Sequence, residues 1–565
     1  MKKIFLALMA VAMLASCDLN FFPSDELNDQ VLLSDEGGAE YIMDGCYALM
    51  KNQVAYLSYE SGNSFVRHYF QLSEFPADNC CLSGRTEDPL YQATTLTMTD
   101  DLKNVGTPWM LAYKIIAMTN TVIETTVEGS STTSDHLLGE AYFVRGWLHL
   151  CMAHLFAKPY SHGRDNLGIP LQISTNSEVV TRAKVGEVYD QIVKDLTKAS
   201  ELMGATSRGN KGYPCKLTAQ GLLSRVHLYM ENWDEVVKTV DAMLAGATPD
   251  SKLEKDFANY FRNAKTSEET LFCIAHDAIA DDFDPAGQGT IGGMYIVSPE
   301  EKRGYGEIYP SNPLLYLYER YPMDLRYTAY IHPQYSGQDV YTVCFPDPTT
   351  TDDSSGRLNV ICNATPNGDN YTFVGEDGKT YTTEKTLVNG EYYVYYVNNY
   401  KGKAEKCLAR VHKQMTPRYT HPMYYMSKFS YEGGKAMISS PVVCRWAEVI
   451  LNRAEAYAHL GQDANALEDV NVIRTRAGIP AEGMFAAGKM HGYTSALDVV
   501  LDERRMELAF EGHRTHDLIR NKMDIDRKYP GFQPWAVVKF DDDHLQYPIP
   551  NAEWTVSGIQ QNPGY

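Results

Sequence analysis

Two stretches, LLSRVHLYMENWDEVVKTV (Leu222–Val240) and NRAEAYAHLGQDANALEDV (Asn452–Val470), align without a gap and pair Ser224 with Ala454, His227 with Tyr457 and Val236 with Ala466. A small residue, an aromatic ring one turn on, a break, then a small or aliphatic residue is the pattern of a tetratricopeptide helix pair. Its small side chains let two helices approach closely. The copies are not in tandem, so the region between them supplies something other than further repeats.

Outward from these stretches, WMLAYKIIAMTNTVIETT (Trp109–Thr126) and LLGEAYFVRGWLHLCMAHLFAKPY (Leu137–Tyr160) carry the 3.6-residue periodicity of packed helices. Glu36–Lys51 reads the same way, and helices resume at Val442 and in ALDVVLDERRMELAFEGHRTHDLIRNK (Ala496–Lys522). The intervening chain is different. Asp277–Pro313 is rich in Gly, Pro and Asp, and Asn370–Tyr400 alternates around Asp377-Gly378 and Asn389-Gly390, the residues of tight hairpin turns. Pro76–Pro108 loses all period and reads as a long exposed loop, a feature that is usually functional within a compact domain. The expected fold is mainly α: a scaffold of tetratricopeptide-like helix pairs with a variable loop and β-hairpin half. The expected segments are 36–275 (helical), 276–440 (loops and hairpins) and 441–565 (helical).

At 565 residues the chain exceeds the usual size of one core, yet no Pro/Ser/Gly-rich linker divides it. The formal net charge of -21 excludes binding to nucleic acid by counterion release and favours a neutral or cationic partner. Hydrophobic content of 44% with 22% charged residues marks a globular chain. Tyrosine is the outlier, 39 residues beside 19 Phe and 6 Trp, and its flat ring with a hydroxyl suits core edges and recognition surfaces alike. The cysteines form no CxxC pair, and adjacent Cys80 and Cys81 are poorly placed for a disulfide. Buried free thiols are expected.

At the start, Lys2 and Lys3 precede an apolar run, Ile4–Ala15, too short to span a bilayer and suited to a signal-peptide core. Leu14-Ala15-Ser16-Cys17 resembles a bacterial lipobox. Residues 1–16 are thus expected to be a cleaved signal. Cys17 is the expected lipidation site, and residues 17–35, including DLNFFPSDEL (Asp18–Leu27), form an extended tether. Lipid is the expected membrane anchor.

The lipobox, GEAYFVRGW (Gly139–Trp147), RWAEVILNRAEAY (Arg445–Tyr457), VNVIRTRAGIP (Val470–Pro480), LDERRMELAFEGHRTHDLIR (Leu501–Arg520) and YPIPNAEWTVSGIQQNPGY (Tyr547–Tyr565) occur in this order. As a set they closely resemble the SusD/RagB family of Bacteroidota outer-membrane lipoproteins, over nearly the whole chain. The resemblance implies four tetratricopeptide-like pairs, no catalytic activity, and a lipid-anchored, cell-surface lid on a SusC-type TonB-dependent transporter that captures glycans for uptake. Some relatives handle peptides. The family more often has an aromatic residue where this chain has His516.

Read without the resemblance, the residues agree. Glu503, Glu507, Glu511, Arg504 and Arg514 fall on helical spacings among apolar partners, which favours structural ion pairs over catalysis. There is no HExxH, GxSxG or phosphate-binding loop motif. His513 and His516 could share a metal, but their place in the ion-pair helix points to a surface or capping role. In DDFDPAGQ (Asp281–Gln288), Asp282, Asp284 and Gly287 match calcium-loop positions, but Gly293 stands where the bidentate Glu belongs. That leaves at most opportunistic calcium and no expected cofactor. A tetratricopeptide-type interaction scaffold and a peptide-binding lid are the alternatives to glycan capture.

A neutral-glycan site needs flat aromatic faces flanked by polar donors and acceptors, carried on loops. Two stretches qualify and match the loops that carry binding residues in the family. They are Pro76–Pro108, with Asp78, Asn79, Arg85 and Tyr91, and Tyr295–Asn312, with Tyr295, Arg303, Tyr305, Tyr309 and Asn312. YYVYYVNNY (Tyr392–Tyr400) is denser in rings, but its alternation suggests a hairpin with one buried face.

Overall fold

The computed structural model describes residues 37–54, 63–84, 86, 88–176, 181–282, 289–349, 356–386, 390–398 and 403–565. Cys17, the expected tether, Arg85, Asp284, Gly287 and Asn389 lie outside the described residues.

The helical part runs through α1 (Gly38–Lys51), α2 (Phe65–Glu74), α3 (Lys103–Thr125), α4 (Thr132–Phe156), α5 (Val185–Leu202), α6 (Lys216–Tyr229) and α7 (Trp233–Leu244). After a strand-rich stretch containing α8 (Asn312–Glu319), it resumes with α9 (Trp446–His459), α10 (Asp463–Arg476), α11 (Ala496–Glu507) and α12 (Arg514–Arg520). Both aligned stretches are helix pairs, α6/α7 and α9/α10, and they are neighbours in space, with α7 packed on α9. The aligned small position carries the contact: Ser224 is fully buried and its Oγ accepts from Asn452 Nδ2 at 3.0 Å. Helix α4 is buried on almost every side and forms the axis between α3 and α5.

The stretch Pro76–Pro108 is not the long exposed loop expected. Phe75, Ala77 and Cys80–Leu82 are buried, residues 91–95 form a helical turn, and α3 starts before Pro108. Proline removes the N–H that would bond Asn104 O, and His68 Nδ1 fills that position, 3.1 Å from the freed carbonyl. The cysteines in the described residues are free, and all but Cys215 are buried.

The strand-rich half contains β1 (Cys80–Leu82), β2 (Thr270–Cys273), β3 (Ile308–Pro310), β4 (Ile331–Pro333), β5 (Tyr341–Pro346), β6 (Asn359–Asn367), β7 (Asn370–Val374), β8 (Thr380–Thr382), β9 (Glu384–Lys385), β10 (Tyr392–Asn398), β11 (Lys403–Lys413), β12 (Tyr424–Met426) and β13 (Val442–Arg445). The turn at Asp377-Gly378 joins β7 to β8 as expected, and on β10 Val394 and Tyr396 are buried while Tyr395 is exposed. Periodicity did not reveal the closure. The sheet order is β8-β7-β6-β5-β11-β10-β9, and β8 and β9 are separated by Thr383 alone. One run, Thr380–Lys385, therefore supplies both edges and closes an antiparallel meander into a barrel with its own core of Val343, Phe345, Phe373, Val394 and Tyr396.

The C-terminal helices are locked by buried charge. Arg445, 1% exposed, donates to Glu269 (2.9 Å), Glu507 (2.6 Å) and both Glu511 oxygens (2.9 Å each). Glu507 also pairs with Arg476, and Lys428 Nζ donates to Glu511 at 2.8 Å and to the carbonyls of Glu507 and Ala509 at 3.0 Å each. Arg474 holds Glu503 at 2.8 Å. The Glu and Arg residues of Leu501–Arg520 are thus structural ion pairs. The turn between α11 and α12 bends through left-handed Phe510 and Gly512, and its N–H groups donate to Glu74 of α2 at 3.0 and 3.1 Å. Burial raises the Glu74 carboxyl to about 7 in spite of these donors.

His513 and His516 are buried, not at the surface. His513 precedes α12, and the His516 ring lies 4.4 Å from that of His154. Burial, reinforced by His513, lowers His516 to about 3, and burial lowers His513 to about 4 although Glu448 opposes it. These rings are neutral in the folded chain and take up protons on unfolding. Their contribution to stability is complete above the ordinary histidine range and is lost as pH falls toward the lowered values.

Two outcomes follow. Arg445→Met leaves Glu269, Glu507 and Glu511 short of a cation, and chemical denaturation should show a loss of about 3–5 kcal/mol. An unchanged unfolding midpoint would show that the network is dispensable. Lowering pH from about 7 to about 5 should cost roughly 2 kcal/mol per buried neutral histidine, so His516→Phe should flatten the acid side of a plot of melting temperature against pH. Parallel curves for the two proteins would contradict this.

Candidate functional site

Strands β1 and β3 pair antiparallel, with Cys80 opposite Pro310, Cys81 opposite Tyr309 and Leu82 opposite Ile308. This pairing brings the two loop segments singled out in the sequence side by side. Several of their named residues face inward. Asp78 is ion-paired with Arg514 (2.7 Å) and Arg505 (3.3 Å). Burial alone would raise its carboxyl, but the two guanidiniums outweigh burial and bring it to about 2. Asn79 is fully buried between Glu74 (2.9 Å) and Arg505 (2.8 Å). Tyr295 and Tyr309 are each 1% exposed, Tyr295 wedged among Phe75, Phe429 and Phe510.

Others are nearer the surface. Tyr91 opens the short helix Tyr91–Thr95, half-buried, and Asn312 opens α8 behind the cap made by Ser311. Arg303 pairs with Asp282, which also receives Lys435 at 3.2 Å. The first position of the calcium-loop stretch is therefore held by two cations. Tyr305 is half-buried, and its backbone is set by left-handed Gly304 (φ +88°), where a β-carbon would collide with the carbonyl of Ile296.

A third segment meets these two. Pro417–Arg418 and His421–Pro422 pair as a minimal hairpin whose tip is Tyr419-Thr420. Tyr419 adopts φ +50°, a strained value for a bulky residue, and its side chain is 68% exposed. Its ring lies directly over Gly84, where any β-carbon would overlap it. The neighbouring Arg418 clamps the hairpin to the first segments, donating to Tyr305 O and to Glu307 Oε1 at 2.8 Å each. The Tyr425 ring packs on Gly306, and Ser83 Oγ donates to Glu307 O at 2.8 Å. Tyr305, Tyr419, Tyr425 and Arg418 are thus carried on adjacent segments of one hydrogen-bonded frame. Tyr419 and Arg418 were missed in the sequence because PRYTHP, although bounded by two prolines, has no Gly or Asn at the left-handed position to mark a tight hairpin tip.

Chemically the described residues of this surface offer flat apolar faces, phenolic hydroxyls and a fixed guanidinium, and among them no nucleophile stands beside a base. A cleft of about 680 Å³ lies elsewhere, lined by Tyr213, Trp446, Lys211, Lys252 and Glu268. Its rings are less free: Arg208 sits 4.0 Å over Tyr213, and Trp446 is 3% exposed. Among the described residues no group of three or more His, Cys, Asp or Glu is placed to hold a metal ion. No helix among them is long and apolar enough to cross a membrane.

Comparison with known proteins gives a consistent picture. Residues 283–565 match the model of the SusD family, and residues 45–228 match one described as starch-binding associating with outer membrane. SusD-like protein P2 of Formosa agariphila is 24% identical over 503 residues, covering 86% of this chain and 84% of that protein. SusD-like protein P38 of the same organism is 21% identical over 542 residues, covering 92% and 91%. Among solved structures, a SusD superfamily protein from Bacteroides thetaiotaomicron superposes with a TM-score of 0.68 at 20% identity, covering 94% of this chain and 99% of that one. A laminarin-binding SusD-like protein superposes at 0.62 with 18% identity, covering 94% and 100%.

Proposed function

The chain belongs to the SusD family, and from that premise we propose that it is a non-catalytic glycan-binding lipoprotein of the outer membrane. In this reading it is anchored through Cys17, exposed at the cell surface, and acts as the lid of a SusC-type TonB-dependent transporter. The observation that carries the glycan reading is Tyr419: a strained, 68% exposed ring held at the junction of three segments with Arg418, Tyr305 and Tyr425. Strain of that kind is kept where surrounding structure enforces it, and such positions cluster at binding sites. A sugar ring would stack its C–H face on tyrosine while its hydroxyls meet Arg418 and the phenols. Tyr91, Arg303 and Asn312, with Arg85, are the further contact candidates. The laminarin-binding relative shares the fold and supports a saccharide as ligand class.

One observation favours a second reading, in which the lid takes a cationic peptide: the net charge of -21. One experiment separates the two. Affinity electrophoresis of the purified protein against a panel of polysaccharides should show retardation by one glycan class. Tyr419→Ala should weaken binding about tenfold or more, as loss of a central aromatic contact does. Gly84→Val, which displaces the ring without removing it, should act in the same direction. Absence of retardation across the panel, together with capture of a Lys/Arg-rich peptide, would replace the glycan reading with the peptide one.

A further inference from the structure

The barrel formed by β5–β11 has two ends, and the one where β5 begins is here called its mouth. Inward positions alternate along each strand, and the register fixes which of them share a layer. At one end Tyr341 lies opposite Lys413, Pro366 opposite Tyr371, and Lys385 opposite Tyr392. Those six residues are the last inward positions of their strand runs at this end; the strands are staggered, so Tyr341 also lies opposite Ala364 and Tyr392 opposite Ala409. Beneath them Val343, Phe373, Val394 and Ala409 close the interior.

The rim is fixed by more than packing. Tyr371 N donates to Thr383 Oγ1 at 2.9 Å, and Lys385 N donates to Asn370 Oδ1 at 2.8 Å. The Tyr371 ring is 5.1 Å from that of Tyr341 and 5.7 Å from that of Tyr392, with interplanar angles of 48° and 75°. The three rings cluster at this end of the barrel, and all three are only partly buried. Lys385 Nζ stands 5.6 Å from the Tyr392 centroid and Lys413 Nζ 5.0 Å from that of Tyr341. Lys413 also meets Asp339 outside the rim. Burial, with the neighbouring hydroxyls of Tyr392 and Tyr341, raises the Tyr371 phenol, as expected of convergent hydroxyls.

A closed barrel offers no free strand edge to a partner, so recognition falls to its surface side chains, and barrel mouths are recurrent ligand sites. Two ammonium groups gathered with three phenols are conspicuous on a chain of net charge -21. Rings suit the C–H face of a sugar and an ammonium suits a carboxylate. We propose that the barrel mouth is a second saccharide site, selective for a uronate residue, and separate from the Tyr305–Tyr419 surface. It rests on the proposed function only in taking a saccharide as the ligand class.

The test is calorimetry of the purified protein with a galacturonate oligosaccharide and with the neutral galactose oligosaccharide of equal length. The galacturonate should bind more tightly, and added salt should weaken it. Lys385→Met, an exposed change that leaves the core intact, should reduce uronate affinity about tenfold or more and lessen the salt dependence. Tyr371→Ala should abolish binding, and Tyr419→Ala should leave it unchanged. Failure of the wild-type protein to bind galacturonate, equal affinity for the neutral sugar, or full uronate affinity in Lys385→Met would each overturn the assignment. None of these outcomes bears on polysaccharide retardation that depends on Tyr419.

Discussion

The buried guanidinium of Arg445 is the constraint on which the rest of the structure depends. Taking one cation and three carboxylates out of water is unfavourable by several kcal/mol per ion, and only complete pairing offsets it. Arg445 ends β13 and precedes α9, Glu269 precedes β2, Glu507 ends α11, and Glu511 lies in the turn before α12. Arg476, at the end of α10, completes Glu507. A shift of any of these elements by one residue would leave a charge buried and unpaired. Apolar packing alone would tolerate several arrangements of helix pairs, whereas this network admits one.

The same logic links scaffold to surface. Glu74 of α2 accepts the N–H groups of Phe510 and Gly512, and Asn79, five residues on, bonds both Glu74 and Arg505. Asp78 takes Arg514. Three consecutive features of the first segment are therefore anchored to the C-terminal helices before β1 begins. Asp78 and Asn79, which look available for ligand in the sequence, are spent on this anchoring. What they achieve is the position of Gly84, two residues past the end of β1 and beneath the Tyr419 ring.

Much of this was legible in the chain, for stated physical reasons. Helix pairs announce themselves because Ser224 and Ala454 must be small, and the ion-pair segment because Glu503, Glu507 and Glu511 recur at four-residue spacing, although the helix ends at Glu507 and Glu511 lies in the following turn. The Asp377-Gly378 turn was legible because a left-handed position calls for glycine. The barrel was not, because closure is a long-range pairing of β5 with β11 and of one run with both β7 and β10, and periodicity reports only which face is buried. The site was half legible. Composition marked two segments that the β1–β3 pairing brings together, but burial depends on partners distant in sequence, such as Arg505 and Arg514 for Asp78. Tyr419 carries a backbone strain that no residue type advertises.

The tyrosine excess then has two explanations that differ in kind. Tyr295, Tyr309 and Tyr318 lie within the core, where a hydroxyl is an expense unless bonded: that of Tyr318 donates to the carbonyl of Met506 at 2.7 Å. Tyr305, Tyr419 and Tyr425 on the body, and Tyr341, Tyr371 and Tyr392 at the barrel mouth, are held by backbone frames while part of each ring stays open. Phenylalanine would serve the first group with one hydrogen bond lost. It would not serve the second, where an open apolar face beside water needs a polar edge to remain soluble and to discriminate between ligands. The cations differ too. Arg418 is locked between Tyr305 O and Glu307, a fixed fork suited to orienting neutral hydroxyls, whereas Lys385 is a point charge on a flexible stem at a rim. The two tyrosine clusters therefore present different cation chemistry on one acidic body.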